Sequence, residues 1–295
     1  MAGKPRVIVE APSVLGLFPK GVETLPDALL AAGLAERLDA RRAGCVPPPP
    51  YDPQRDPVTL LLNPQGLAHY AVALADTVSA VVKDGGFPIV LGGDCSILLG
   101  NLLALRREGR YGLLFLDGHA DFYQPEAEPN GEAASMDLAL ATGRGPLVVT
   151  DIEGRRPLVR DEDVVVWGRR DAAVAAQYGS QRVEDTPIRL IDLDAVRAAG
   201  AAAAAADAVG HLARPDLEGF WIHLDADVLD DAIMPAVDYR MPGGLSWDEV
   251  ATVLRASVGS GRAVGINVTI FNPKLDADGA IARTFTQVLA QGLRA

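Results

Sequence analysis

Gly112-Leu113-Leu114-Phe115-Leu116-Asp117-Gly118-His119-Ala120-Asp121 is the stretch on which the reading of the chain turns. Its first five positions carry no polar side chain, so a strand there buries both faces, the habit of a parallel strand covered by helices on either side. The charged residues that follow suit a loop leaving the carboxyl end of such a strand. Outward from here, short apolar runs at 7–9, 88–91, 164–167, 188–191, 220–224 and 263–268 read as further strands. Longer Ala/Leu-rich runs at 67–83, 97–107, 194–212, 247–258 and 277–293 read as helices between them. The alternation predicts an α/β fold, a doubly wound and mostly parallel sheet with helices on both faces. Neither the prolines at 47–50 nor the alanines at 201–206 divide the pattern, so residues 1–295 are expected to form a single domain without internal repeats.

Composition narrows the function. The 295 residues are 49% hydrophobic and 22% charged, which provides for a large core and excludes disorder as the main state. A net charge of −12 and a pI near 4.8 repel phosphate backbones and anionic membranes, so neither nucleic acid nor membrane is an expected partner. Cys45 and Cys95 make neither a disulfide framework nor a zinc-finger pair, and no run approaches the roughly 18 apolar residues of a membrane span. The expectation is a cytoplasmic protein that acts on a small molecule.

Chemistry concentrates behind three of the strands. Leu91-Gly92-Gly93-Asp94-Cys95-Ser96 closes one strand and opens a helix, whose dipole favours a thiolate. Asp117, His119 and Asp121 alternate, so in extended backbone two carboxylates and an imidazole point the same way. Trp221-Ile222-His223-Leu224 leads into Asp225-Ala226-Asp227, which repeats the device. So many acids at strand ends are costly unless a cation neutralises them. Cys95, Asp117, His119, Asp121, Asp225 and Asp227 offer donors of the kinds that hold Mn, Fe, Co or Zn. They suffice for two divalent ions bridged by carboxylates, an arrangement suited to hydrolysis.

In this order the three clusters resemble the arginase/agmatinase/formiminoglutamase (ureohydrolase) family, whose signatures read G-G-D-H-S, D-A-H-x-D and S-x-D-x-D-x-x-D-P-x-x-x-P. Here they stand as Gly92-Gly93-Asp94-Cys95-Ser96, as Asp117-Gly118-His119-Ala120-Asp121, and as His223 through Asp231 with Pro235 beyond. Gly21-Val22-Glu23, Gly168-Arg169-Arg170-Asp171 and Pro242-Gly243-Gly244-Leu245 are further echoes. The resemblance implies a three-layer arginase-like α/β fold, a pair of manganese ions and assembly as a homo-oligomer, trimer or hexamer. It implies hydrolysis of a carbon–nitrogen bond in a linear guanidine or amidine by a hydroxide bridging the two ions. It also implies a ligand set: Cys95, Asp117, Asp121 and Asp225 for the first ion, and His119, Asp117, Asp225 and Asp227 for the second. Asp121 would pass the proton to the leaving amine.

The departures from the pattern are as informative. Cys95 stands where the family has a histidine ligand, and a thiolate is softer, which moves preference from Mn toward Fe, Co or Zn. Four aspartates and a thiolate also outweigh two divalent ions by one charge, where histidine would leave the balance even. Ile270, in Thr269-Ile270-Phe271-Asn272-Pro273, occupies the position of the family's substrate-binding acid. A guanidinium there loses a charged partner, at about 1.5–3 kcal/mol, which argues against arginine or agmatine as substrate. No histidine falls near Ala134-Ser135-Met136, where the family commonly carries its proton shuttle. His223 replaces the Ser or Thr opening the third signature; it stands as a candidate catalytic residue, a shuttle or the partner of a ligand, beside a purely structural role. Arg169 and Arg170 either orient a substrate carboxylate or pair with Asp171, while Tyr123, Asn130, Asp238 and Arg240 flank the site. Residues 136–140 read as the start of a core-facing helix. Two other readings remain: a family member that keeps the fold but has lost hydrolysis and serves as a metal-binding or assembly subunit, and cysteine-nucleophile catalysis by Cys95 with His119.

Overall fold

Within 112–116, Leu114 and Leu116 face one core and Leu113 and Phe115 another, as the two-residue period of a strand requires. The same sorting runs through the whole computed structural model, which describes residues 4–294. Its strands are β1 (Arg6–Ala11), β2 (Arg41–Cys45), β3 (Phe87–Gly92), β4 (Gly112–Leu116), β5 (Val164–Trp167), β6 (Arg189–Ile191), β7 (Phe220–Asp225) and β8 (Ala263–Thr269). They form one sheet in the order β2-β1-β3-β8-β7-β4-β5-β6, and every pairing is parallel, beyond the mostly parallel sheet expected. Helices Leu25–Ala31, Ala201–Leu212, Trp247–Gly259 and Ala280–Leu293 cover one face. Helices Pro64–Lys83 and Leu98–Arg106 cover the other, which makes three layers.

Local chemistry explains several boundaries. Ser246 and Glu249 form a reciprocal capping box that starts the helix Trp247–Gly259. The helix expected at 194–212 is two helices, Leu193–Ala199 and Ala201–Leu212, because Gly200 sits between them at φ 80, outside helical space. Edge strand β2 was not anticipated. Its sequence Arg-Arg-Ala-Gly-Cys is exposed at every position and has no apolar run, so it is recruited by backbone pairing to β1 and by the Arg42–Glu10 ion pair at 2.5 Å. Charged residues on such an edge discourage pairing with other chains. Residues 136–140 do enter a buried helix, Asp137–Ala141.

Four central neighbours, β3, β8, β7 and β4, position the site. Their ladders match Leu91 with Val268, Val268 with Leu224 and Leu224 with Leu116, so the four carboxyl ends lie level and their loops leave together. That crevice is where open α/β sheets bind ligands. Among the described residues no helix is long and apolar enough to cross a membrane.

Phe285, fully buried between Trp247 and Phe271, tests the outer layer away from the crevice. Phe285→Ala is expected to lower unfolding free energy by about 3–5 kcal/mol, read as a shifted urea midpoint at unchanged slope.

Candidate metal centre

The loop after β3 is built by close approach and capping. Gly93 passes so near the Ser13 carbonyl that a Cβ would overlap it, which leaves glycine as the residue that fits. Asp94 then accepts from Ser96 N at 2.8 Å and Gly16 N at 3.1 Å, capping the 3-10 turn Cys95–Ile97. This aims Cys95 Sγ across the sheet, 2.8 Å from Asp225 Oδ2 and 3.2 Å from Thr269 Oγ1.

Three aspartates at the ends of β4 and β7 follow one plan. Asp117 Oδ1 accepts the His119 amide at 2.6 Å, Asp225 Oδ1 the Asp227 amide at 2.7 Å, and Asp227 Oδ1 the Gly118 amide at 3.1 Å. Each carboxylate thus spends one oxygen on holding the loops, and the other faces inward. Asp117 Oδ2 is buried with no hydrogen-bond partner, Asp225 Oδ2 meets Cys95, and Asp227 Oδ2 lies 2.9 Å from His119 Nδ1. Arg170 ties the second loop down, donating to the carbonyls of Asp227 at 2.8 Å, Met241 at 3.2 Å and Leu229 at 3.3 Å. A Cβ at position 118 would strike this guanidinium, which accounts for Gly118.

The electrostatics call for a cation. Burial pushes Asp225 well above the usual carboxylate range, with repulsion from Asp227 and Asp117 adding to it. Burial and the charges of Asp117 and Asp137 do the same to Asp121, and Asp227 is raised too, burial outweighing the His119 contact. Asp117 goes the other way: burial opposes its ionisation, but the neighbouring imidazoles of His119 and His223 prevail and lower it. The Cys95 thiol is driven up by burial and then by four aspartates, Asp225 foremost. A buried thiol held protonated is the opposite of an activated nucleophile, and this disfavours cysteine catalysis.

Two donor groups fit divalent cations. Cys95, Asp117, His223 and Asp225 bring ligand atoms within 4.8 Å of one another, as do Asp117, His119 and Asp227. They share Asp117, as a bridged pair would. Compared with the set expected from sequence, Asp121 lies in neither group, and His223 enters the first. Asp121 lines the cavity beside them, its backbone in the left-handed region at φ 42.

Above the donors opens a cavity of ≈ 190 Å³ lined by Tyr123, Asn130, Ala134, Ser135 and Ile270, among others. Ile270 sits at φ 69, a strained setting for a β-branched residue. Tyr178, Tyr239 and Glu128 also line it and were missed, since isolated aromatic and acidic loop residues carry no periodic signal. Asp137 was missed as well: it is fully buried and raised by burial and by the Asp117 charge, and an acid interrupting the apolar run 136–141 was the available clue. Arg169 pairs with Asp171 at 2.5 Å and Glu184 at 2.9 Å, buried away from the donors. Exposed Arg240 pairs with half-buried Asp231, and Asp238 accepts from Asn272 at 3.0 Å. Arg169, Arg240 and Asp238 hold structure and do not line the cavity.

With this geometry in hand, comparison with known proteins is direct. The arginase family profile matches residues 7–293. A curated arginase of Bacillus caldovelox is 31% identical over 256 residues, covering 83% of each chain. One of Staphylococcus aureus is 27% identical over 92% of this chain and 91% of its own. The crystal structure of arginase from Bacillus cereus superposes with a TM-score of 0.87 at 25% identity, covering 99% of both chains. The chain therefore belongs to the arginase family, hydrolases of carbon–nitrogen bonds in linear amidines.

Proposed function

We propose that the protein is a metal-dependent hydrolase that cleaves a carbon–nitrogen bond of a linear guanidine- or amidine-type substrate. The observation that carries this reading is the shared plan of Asp117, Asp225 and Asp227, each with one oxygen fixed to backbone and the other left for a cation. Cys95, Asp117 and Asp225 would hold one divalent ion, and Asp117, His119 and Asp227 a second. Bound there, two such ions supply Lewis acidity and lower the pKa of water for attack on the amidine carbon. Manganese is the family's metal, and the thiolate favours Fe, Co or Zn. Asp121, on the cavity wall, takes up the proton of the attacking water at its carboxylate and returns it to the leaving nitrogen. Arg170 keeps Asp227 and its loop in register without touching substrate.

The cavity favours an amidine whose remainder is uncharged or cationic. Its walls include Leu17, Tyr123, Val174, Tyr178 and Tyr239, and no lysine or arginine lines it among the described residues. Ile270 puts an apolar surface where an acid would pair with a guanidinium. A substrate carboxylate finds no charged partner there.

Three measurements test the reading. Metal content by inductively coupled plasma mass spectrometry after Mn or Co loading is expected near two ions per chain; one or fewer would favour a fold kept without hydrolysis. Cys95→His is expected to tighten Mn binding relative to Zn, and unchanged relative affinity would remove Cys95 from the ligand set. Ile270→Glu is expected to lower KM for a guanidinium substrate about 10- to 100-fold, the equivalent of one charged hydrogen bond. An unaltered KM would show that Ile270 does not face the substrate's charge.

A further inference from the structure

His223 is the one ring in the donor groups whose hydrogen-bond polarity is dictated from outside the centre. It is fully buried on β7, stacked on Phe115 with ring centroids 4.5 Å apart and planes 12° from parallel. Its Nδ1 lies 2.8 Å from Asn267 Nδ2, and Asn267 Oδ1 lies 2.7 Å from Trp221 Nε1. An indole nitrogen can only donate, so the Asn267 atom facing it is the oxygen. The amide nitrogen therefore faces His223, and an amide NH2 can only donate. Nδ1 must accept, which leaves the ring hydrogen on Nε2.

We infer that Trp221 and Asn267 lock His223 as the Nε2–H tautomer, so that the ring edge facing the centre carries a hydrogen and no lone pair. Nε2 lies 3.8 Å from Asp117 Oδ2, and both atoms are buried with no hydrogen-bond partner. Cys95 Sγ and an oxygen of Asp225 complete the space they face. A nitrogen that carries hydrogen has no lone pair for a metal, so His223 stands among the ligands without being one, and it is no proton shuttle. Its N–H dipole points at the anionic side of the pair, where Cys95 brings one negative charge more than a histidine would. This consequence rests on the proposed metal centre, whereas the tautomer does not.

The test is nitrogen-15 NMR of the full-length protein labelled at histidine, whose four histidines keep the spectrum assignable. In metal-free protein His223 is expected to show a one-bond N–H coupling at Nε2 and none at Nδ1, retained after zinc loading. A proton on Nδ1, or loss of the Nε2 proton when zinc enters, would overturn the inference. If no zinc binds, the proposed centre fails while the metal-free spectrum still decides the tautomer. Asn267→Asp replaces the donor by an acceptor and should move the proton to Nδ1. It also frees Nε2 as a ligand, which changes the visible spectrum of the cobalt-loaded protein. Should that variant not fold, His223→Ser is expected to bind as much zinc per chain as wild type, and loss of an ion would return His223 to the ligand set.

Discussion

Negative charge buried at the ends of the adjacent strands β4 and β7 is the constraint on which the rest of the structure depends. Asp117, Asp121, Asp225 and Asp227 are all buried; burial, with repulsion between the carboxylates adding to it, pushes Asp121 and Asp225 well above the usual carboxylate range and raises Asp227. A flexible crevice would relieve that repulsion by spreading. This one cannot, because each of three carboxylates is tied to a backbone amide and the strands behind them are packed on both faces. The fold thus holds a charge imbalance that protons or a bound cation must remove, and the binding energy of such a cation would become folding energy.

The residues that depart from the family pattern touch one another through this constraint. Cys95 lies against Asp225 and Thr269, and the backbone amide of Ile270, next in sequence, bonds the carbonyl of Gly93. The strained Ile270 is therefore held by the same loop that presents the thiol. His223 and Asn267 stand on the neighbouring ladder pair, where register places them opposite each other.

The cavity above the centre is small and largely apolar, with acids on its floor. Its walls come from loops far apart in sequence, Leu17, the residues after β4 and Tyr239, which the sheet gathers over one spot. Loops of this kind vary without disturbing the sheet, because the strand ends and the turns directly after them set the candidate donors.

The sequence by itself determined what depends on near neighbours along the chain. Short apolar runs marked seven of the strands and longer Ala/Leu-rich runs the main helices, and alternation of acids marked the candidate donors at the ends of β4 and β7. Where local signal was absent the reading lapsed: β2 has no apolar run, and its place follows from pairing with β1. Only the tertiary structure decided which donors meet. Cys95 and Asp225 touch across 130 positions, Asp121 falls outside both donor groups, and His223 takes its polarity from Asn267, 44 positions away. Hydrogen-bond direction is a property of partners, and partners that distant are chosen by packing of the sheet rather than by any pattern in the chain.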